Sequence, residues 1–130
     1  MMGRSFFSVS LALCVSFLTL IAQTSSVHAA GTQQYETAVL RWLDKVAGRV
    51  RTIEAMVNQT LHVQGLQIIV RACVERAPED PPESAAFLDV WETRVGRPAE
   101  EVYRGWMYAS SPGVSAMEHP VYDVWILDCK

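Results

Sequence analysis

The stretch "LQIIVRACVE", residues 66–75, decides the fold. Its apolar residues recur at a period of two, which indicates a strand buried on one face rather than a helix. The alternation predicts that one face carries Leu66, Ile68, Val70, Ala72 and Val74. The opposite face then carries Gln67, Arg71 and Glu75, with Ile69 and Cys73 between them.

Similar short runs follow along the chain. Residues 85–93 (AAFLDVWET) place Phe87 and Trp91 on one side and Leu88 and Val90 on the other. Residues 101–109 and 121–129 are rich in aromatic and β-branched residues, which suit a pleated, half-buried surface. Gly- and Pro-containing spacers separate these runs, and the loop 77–84 (APEDPPES) has three prolines and three acidic residues, so we expect it on the surface. The pattern predicts an all-β fold, a small single-domain antiparallel β-sandwich or barrel.

The segment 36–47 (ETAVLRWLDKVA) fits two patterns. Val39, Leu40, Leu43 and Val46 have helical spacing, whereas Ala38, Leu40 and Trp42 alternate as in a strand. We favour the strand because the following GRVRTIEAM continues the alternation and places Gly48 near a hairpin turn. A helix remains the alternative.

Residues 1–30 have the features of a cleavable signal peptide. Arg4 precedes an apolar run from residue 6 to residue 21, and Val27-His28-Ala29 fits the small-residue rule, so we expect cleavage near Ala29 or Ala30. A retained membrane anchor is the alternative, but the apolar run is shorter than the roughly 20 residues that a bilayer span needs. The expectation is therefore a periplasmic protein with no transmembrane segment after cleavage.

The remaining chain is predicted to be one domain, with a polar lead-in at 31–37 and a β domain at 38–130. Cleavage removes one of the 11 basic residues and none of the 14 acidic ones, so the net charge moves from −3 to −4. This mild acidity argues against nucleic acid as a partner, since nucleic-acid binding needs a basic face. It also argues against anionic lipid headgroups.

Two cysteines remain after cleavage, Cys73 and Cys129, so only one pairing is possible. In an oxidising compartment such a pair usually forms a disulfide. Closing this long loop stabilises the fold by roughly 3–4 kcal/mol in the chain-entropy model. Two buried free thiols are the alternative.

The stretch "GWMYASSPGVSAMEHPVYDVW", residues 105–125, holds the residue types of a serine hydrolase triad: Ser110 or Ser111, His119 and Asp123. It has no GxSxG elbow and no Gly-rich loop for an oxyanion hole. We therefore interpret it as a folded corner in which the serines cap a turn at Pro112-Gly113. In this interpretation His119 and Asp123 form hydrogen bonds that hold the returning chain.

Metal and cofactor sites are not predicted. Glu118, His119 and Asp123, with His62 as a distant fourth, are ligand types without a metal-site spacing. The aromatic residues are better candidates for a binding site, because Trp106, Tyr108 and Tyr122 could anchor a partner or stack on sugar rings. Most aromatic side chains are expected in the core, with one or two at the surface.

Five segments together resemble the exported alphaproteobacterial family catalogued as domain of unknown function 2155. They are LDKVAGRV (43–50), LQIIVRAC (66–73), PPESAAF (81–87), GWMYASSP (105–112) and EHPVYDVWILDC (118–129). The resemblance runs from about Ala38 to Cys129 and implies a periplasmic single domain without supplying any chemistry. It places Cys73 and Cys129 at the family's two cysteine positions. The family signature includes Trp106, Ser110, Ser111, Pro112, His119, Pro120, Tyr122 and Asp123.

The leading hypothesis is a non-catalytic binding or assembly module of the cell envelope. Its partner would be an envelope protein or a cell-wall component, and no cofactor is expected. The candidate binding or corner residues are Trp106, Tyr108, Ser110, Ser111, His119, Tyr122 and Asp123. Two alternatives remain, a small periplasmic hydrolase that uses Ser110 or Ser111 and a domain that binds sugar or peptidoglycan through exposed tryptophans.

Overall fold

A computed structural model describes residues 31–130, and the predicted signal peptide lies outside the described residues. The described chain forms strands, turns and connections only. Its strands are β1 (Gln33–Tyr35), β2 (Thr37–Asp44), β3 (Arg49–Met56), β4 (Thr60–Val63), β5 (Leu66–Glu75), β6 (Ser84–Glu92), β7 (Glu100–Tyr108) and β8 (Tyr122–Cys129). Within this part of the chain there is no helix that could span a membrane.

The strands form two antiparallel sheets. The five-stranded sheet has the order β1-β5-β6-β7, with β4 paired to the other half of the β5 edge, and the three-stranded sheet has the order β3-β2-β8. The two sheets share one core, to which the first contributes residues such as Ile68 and Leu88 and the second residues such as Leu40 and Ile126. The predicted all-β antiparallel class is confirmed.

The ambiguous segment 36–47 contains a strand, as we favoured. Ala38, Leu40 and Trp42 of β2 are buried in alternation, because the strand places every second side chain in the core. Gly48 adopts a positive φ of 62° in the turn that joins β2 to β3. Asp44 stabilises this turn, since its Oδ1 accepts hydrogen bonds from the backbone N–H groups of residues 46 and 47.

The alternation predicted for β5 is right for its first half and wrong for its second. Leu66, Ile68 and Val70 are buried as predicted. The register then shifts: Val70 pairs with Leu88 and Ala72 with the adjacent Phe87, so Arg71 is an extra residue in a β-bulge. Beyond the bulge Cys73 faces the core, whereas Ala72 and Val74, predicted to share the core face with Val70, lie on the outer face.

The strand β8 has a second bulge, close to the other cysteine. Leu40 of β2 pairs with Ile126, and the preceding residue, Val39, pairs with Asp128. Leu127 is therefore the extra residue, and Cys129 faces the core together with Val124 and Ile126 although the sequence places it in the opposite phase.

The two cysteines form the predicted disulfide. Cys73 and Cys129 are bonded, with their Cα atoms 5.7 Å apart and 56 positions apart in sequence. The bond joins β5 of one sheet to β8 of the other and lies in the shared core. It therefore links the two sheets directly.

Two flanking segments lie closer to the sheets than their composition suggests. Residues 33–35 of the polar lead-in form β1, and Tyr35 pairs with Cys73. The prolines and Glu79 of the loop 77–84 are exposed, but its last residue, Ser84, is buried at the start of β6. The Ser84 hydroxyl lies 3.0 Å from Glu75 Oε1 and 3.3 Å from Asp128 Oδ1.

Replacing either cysteine tests the role of the bridge. We expect Cys73→Ser and Cys129→Ser to lower the melting temperature equally, by roughly 10–25 °C, because each opens the same loop. The double variant should melt no lower than either single variant. Thermal unfolding followed by circular dichroism measures this, with reduced wild type as the control. Unequal losses, with the double variant much less stable, would mean that the cysteines act independently.

Candidate functional site

The connection 109–121, between β7 and β8, contains most of the candidate residues. It runs beside β8, where Pro112 and Gly113 line a small cavity with residues 123–125. Met117 is buried in the shared core and anchors the middle of the connection. This segment thus closes one side of the molecule between the two sheets.

His119 fixes the end of this connection. It is only 5% exposed, and its Nδ1 accepts hydrogen bonds from the backbone N–H groups of Val121 and Tyr122 at 3.1 and 3.0 Å. Its ring stacks on Tyr122 with 5.4 Å between centroids, and its carbonyl oxygen accepts a 2.6 Å hydrogen bond from Lys45. His119 therefore ties the end of the connection to the start of β8.

The other imidazole nitrogen of His119 faces an acidic side chain. Its Nε2 lies 3.3 Å from Glu92 Oε1, but the contact is not a directed hydrogen bond. The pKa of Glu92 is lowered, first by the hydrogen bond from Arg94 at 2.8 Å and further by His119, so this carboxylate is ionised at neutral pH. Because Nδ1 accepts two hydrogen bonds, the neutral ring carries its proton on Nε2, on the side of Glu92.

The two serines lie elsewhere. The backbone N–H of Ser110 donates to Glu83 Oε1 at 3.1 Å, and its hydroxyl also donates to the Glu83 carboxylate. Ser111 follows in the same turn, where its N–H donates to the carbonyl of Tyr108 and its carbonyl accepts from Val114. Ser110 thus ties this turn to the end of the proline-rich loop, a contact that the sequence analysis did not predict.

The structure does not bring the serines and His119 together. Ser110 contacts Glu83, immediately before β6, whereas His119 contacts Glu92, the last residue of β6. Nine steps of extended chain separate these two positions by roughly 30 Å. Asp123 accepts a hydrogen bond from its own neighbour, Val124, and does not orient His119. The residues of the hydrolase hypothesis therefore form no triad.

The residues that could ligate a metal ion do not come together either. Among residues 31–130, no group of three His, Cys, Asp or Glu side chains is placed to hold a metal ion. His62 lies exposed on β4, in the five-stranded sheet, and Asp123 belongs to β8 in the other sheet.

A groove lies on the outer face of the five-stranded sheet, and we call it the aromatic groove. Trp106 and Tyr108 of β7 form its wall and are 39% and 40% exposed. Ala72, Val74 and Ala85 form its floor, because three small side chains lie in line with the two large aromatic ones across the sheet. The cavity measures about 490 Å³, and its rim consists of Thr32, Gln34, Glu75, Arg76 and Glu83.

The wall of the groove is held in place by neighbouring side chains. Phe87 of β6, the cross-strand neighbour of Trp106 on the same face, packs edge-on against it, with 5.7 Å between ring centroids and an interplanar angle of 84°. The Tyr103 hydroxyl donates to the carbonyl oxygen of Trp106 at 3.1 Å. Edge-to-face contacts of this kind favour one ring orientation, so the indole of Trp106 presents a fixed surface.

A buried carboxylate supports the neighbouring part of the same face. Asp89 is 3% exposed and accepts hydrogen bonds from Arg71 Nη2 at 3.1 Å and Trp91 Nε1 at 2.9 Å. Arg71 is the bulged residue of β5, so this ion pair holds the bulge against β6. A buried charge with two partners is costly to disturb, and its only sign in the sequence is a single acidic residue in an apolar run.

Fold and groove together define a small, disulfide-linked all-β domain with a preformed surface groove. The chain belongs to the family described as "Uncharacterized protein conserved in bacteria (DUF2155)", whose model matches residues 38–129. The resemblance seen in the sequence is thereby confirmed. The chain is also 19% identical over 110 residues to the uncharacterized protein RP359 of Rickettsia prowazekii (strain Madrid E), an alignment that covers 85% of this chain and 71% of that protein. No solved structure matches the chain significantly.

The corner role of His119 gives a clear expectation for stability. His119→Ala leaves two backbone N–H groups without their acceptor, and we expect a loss of about 2–4 kcal/mol in the free energy of unfolding. His119→Asn keeps an acceptor at the same distance along the side chain and should recover a large part of this loss. Urea unfolding of the three proteins measures both effects. Equal losses in the two variants would show that the Nδ1 hydrogen bonds contribute little.

The contact between Ser110 and Glu83 gives an expectation for pH. The Ser110 hydroxyl, followed by its backbone N–H, lowers the pKa of Glu83 below its usual 4.5, so the contact stabilises the fold above pH 4.5 and is lost as the pH falls through the lowered value. Ser110→Ala should raise this pKa towards 4.5. An NMR titration of the Glu83 carboxyl carbon measures it, with the Ser111→Ala variant as the control. An unchanged titration in Ser110→Ala would contradict the assignment.

Proposed function

We propose that this protein is an exported, non-catalytic binding module of the bacterial cell envelope and that it binds through the aromatic groove. Export is proposed from the N-terminal sequence, and the disulfide suits an oxidising compartment such as the periplasm. The family supplies no activity of its own, so the proposed mode of action rests on the surface of the domain.

The observation that carries the proposal is the exposure of Trp106 and Tyr108. Large aromatic side chains contribute most to binding when they are rigid and lie beside a pocket. Here both rings stand next to an apolar floor, and Phe87 packs edge-on against Trp106 from the neighbouring strand. The other three tryptophans are less exposed, with Trp42 buried in the core.

Binding is preferred over catalysis because of where the polar groups point. Ser110 is engaged by Glu83, and the Nδ1 of His119 is engaged by two backbone N–H groups. A serine nucleophile needs a base within about 3 Å, and these two side chains contact opposite ends of β6. No contact in the described residues favours the hydrolase alternative.

Replacing the wall of the groove tests the proposal. Protein secreted with its own N-terminal segment is immobilised and exposed to envelope material separated into sacculi, membranes and soluble protein. We expect one fraction to be retained, and Trp106→Ala to reduce its retention by about tenfold or more, since loss of a central aromatic contact typically costs 2 kcal/mol or more.

Trp125→Ala serves as the matched control, because Trp125 is a half-buried tryptophan on β8 in the other sheet. Its retention should equal that of the wild type. Equal retention by all three proteins, or none by the wild type, would contradict binding through the groove. Mass spectrometry of the same secreted sample should find an N-terminus at residue 30 or 31, and an intact chain would contradict cleavage.

A further inference from the structure

We infer that the aromatic groove takes a chain of pyranose rings, that is, a glycan rather than a peptide or a lipid. This inference rests on the proposed binding function and names the class of ligand. It follows from the position of the groove on the sheet, from the chemistry of its rim and from the rigidity of its wall.

The floor of the groove gives no site for the commonest way of holding an extended peptide. Peptides that add a strand to a sheet need an unpaired edge, where backbone N–H and C=O groups are available. The floor consists of Ala72 and Val74 on β5 and Ala85 on β6, two strands that are paired with each other, whereas the edge strand on this side is β7, which carries the wall. A ligand that lies on the floor therefore meets side chains only.

The small floor and the flat wall fit a ring. Ala72, Val74 and Ala85 leave a shallow apolar surface, and Trp106 and Tyr108 stand along one side of it. A pyranose ring has an apolar face of C–H groups and a periphery of hydroxyl groups. Its apolar face can pack on the aromatic wall while its hydroxyl groups remain at the rim, where polar partners are needed.

The rim is polar and nearly balanced in charge. It combines the carboxylates of Glu75 and Glu83 with the guanidinium of Arg76, and Gln34 adds an amide that both donates and accepts hydrogen bonds. Glu83 is already engaged by Ser110, and Glu75 by Ser84. An apolar lipid chain would offer no hydrogen-bond partner to Arg76 or Gln34, whereas hydroxyl groups can pair with donors and acceptors alike.

The groove is also preformed, which lowers the entropic cost of binding a ligand. Phe87 packs against the indole of Trp106 and Tyr103 bonds to its backbone before any ligand arrives, so less side-chain freedom is lost on binding. The same logic explains why the wall is aromatic, since a flexible aliphatic side chain would have to be ordered by the ligand.

The chain itself is a competing occupant. Thr32, near the start of the described residues, lies on the rim. Residues 22–30 (AQTSSVHAA) precede it closely in the sequence and serve as the peptide competitor. The experiment therefore includes a synthetic peptide of this sequence.

The test is a titration followed by the indole N–H signals of the four tryptophans in NMR spectra of the secreted protein. The probe is chitotriose, a linear chain of three N-acetylglucosamine rings, added up to about 10 mM, the range in which weak ligands saturate. Sorbitol at the same hydroxyl concentration is the control ligand, because it has hydroxyl groups without a ring face.

We expect chitotriose to shift the Trp106 signal and to leave those of Trp42 and Trp125 unchanged. Trp106→Ala should weaken binding by about tenfold, Trp106→Phe by less, and Trp125→Ala should have no effect. Circular dichroism confirms that each variant is folded.

Three results would overturn the inference. They are no shift with chitotriose, an equal shift with sorbitol, and a shift with the 22–30 peptide but not with the sugar. If the Trp106-dependent retention of envelope material persists in any of these cases, only the glycan assignment fails. If that retention is also absent, the proposed function fails as well.

Discussion

The β-bulge at Arg71 is the constraint on which the rest of the structure depends. An ideal strand would keep Ala72 and Val74 on the same face as Leu66, Ile68 and Val70, and Cys73 on the other. One extra residue reverses this phase, so Cys73 enters the core and meets Cys129, whereas Ala72 and Val74 form the floor of the aromatic groove. The ion pair of Arg71 with the buried Asp89 holds the bulge in place.

The two bulges act as a pair. Cys129 is out of phase with Val124 and Ile126, just as Cys73 is out of phase with Ile68 and Val70, and in each strand the extra residue stands two positions before the cysteine. A disulfide between the two facing sheets needs both cysteine side chains in the core. Each of the two strands therefore has to exchange its inner and outer faces once before its cysteine. The disulfide in turn fixes both registers, because a slip in either strand would turn its cysteine towards solvent.

Much of the fold could be predicted from the sequence, because period-two patterns with Gly and Pro between them report strands directly. The β2–β3 hairpin, the pairing of the cysteines and the corner at His119 all followed from local patterns. The bulges could not be predicted in this way, because the residues of LQIIVRACVE beyond Val70 fit either face of the strand equally well. A cysteine out of phase with the preceding apolar residues was nevertheless a usable sign of a bulge. The tie between Ser110 and Glu83 and the buried pair of Arg71 and Asp89 join residues 27 and 18 positions apart, and no local pattern reports such contacts.

The proposed groove and the disulfide are two consequences of the same local geometry. Ala72 and Val74 flank Cys73, so the bond that pulls the cysteine inward also presents these two small side chains outward. Phe87 packs against Trp106 on the same outer face, and the Tyr103 hydroxyl donates to the backbone of Trp106, so the wall is held beside this floor. The proposed binding surface therefore needs no mobile loop, because its floor lies on the paired strands β5 and β6 and its wall on the neighbouring strand β7.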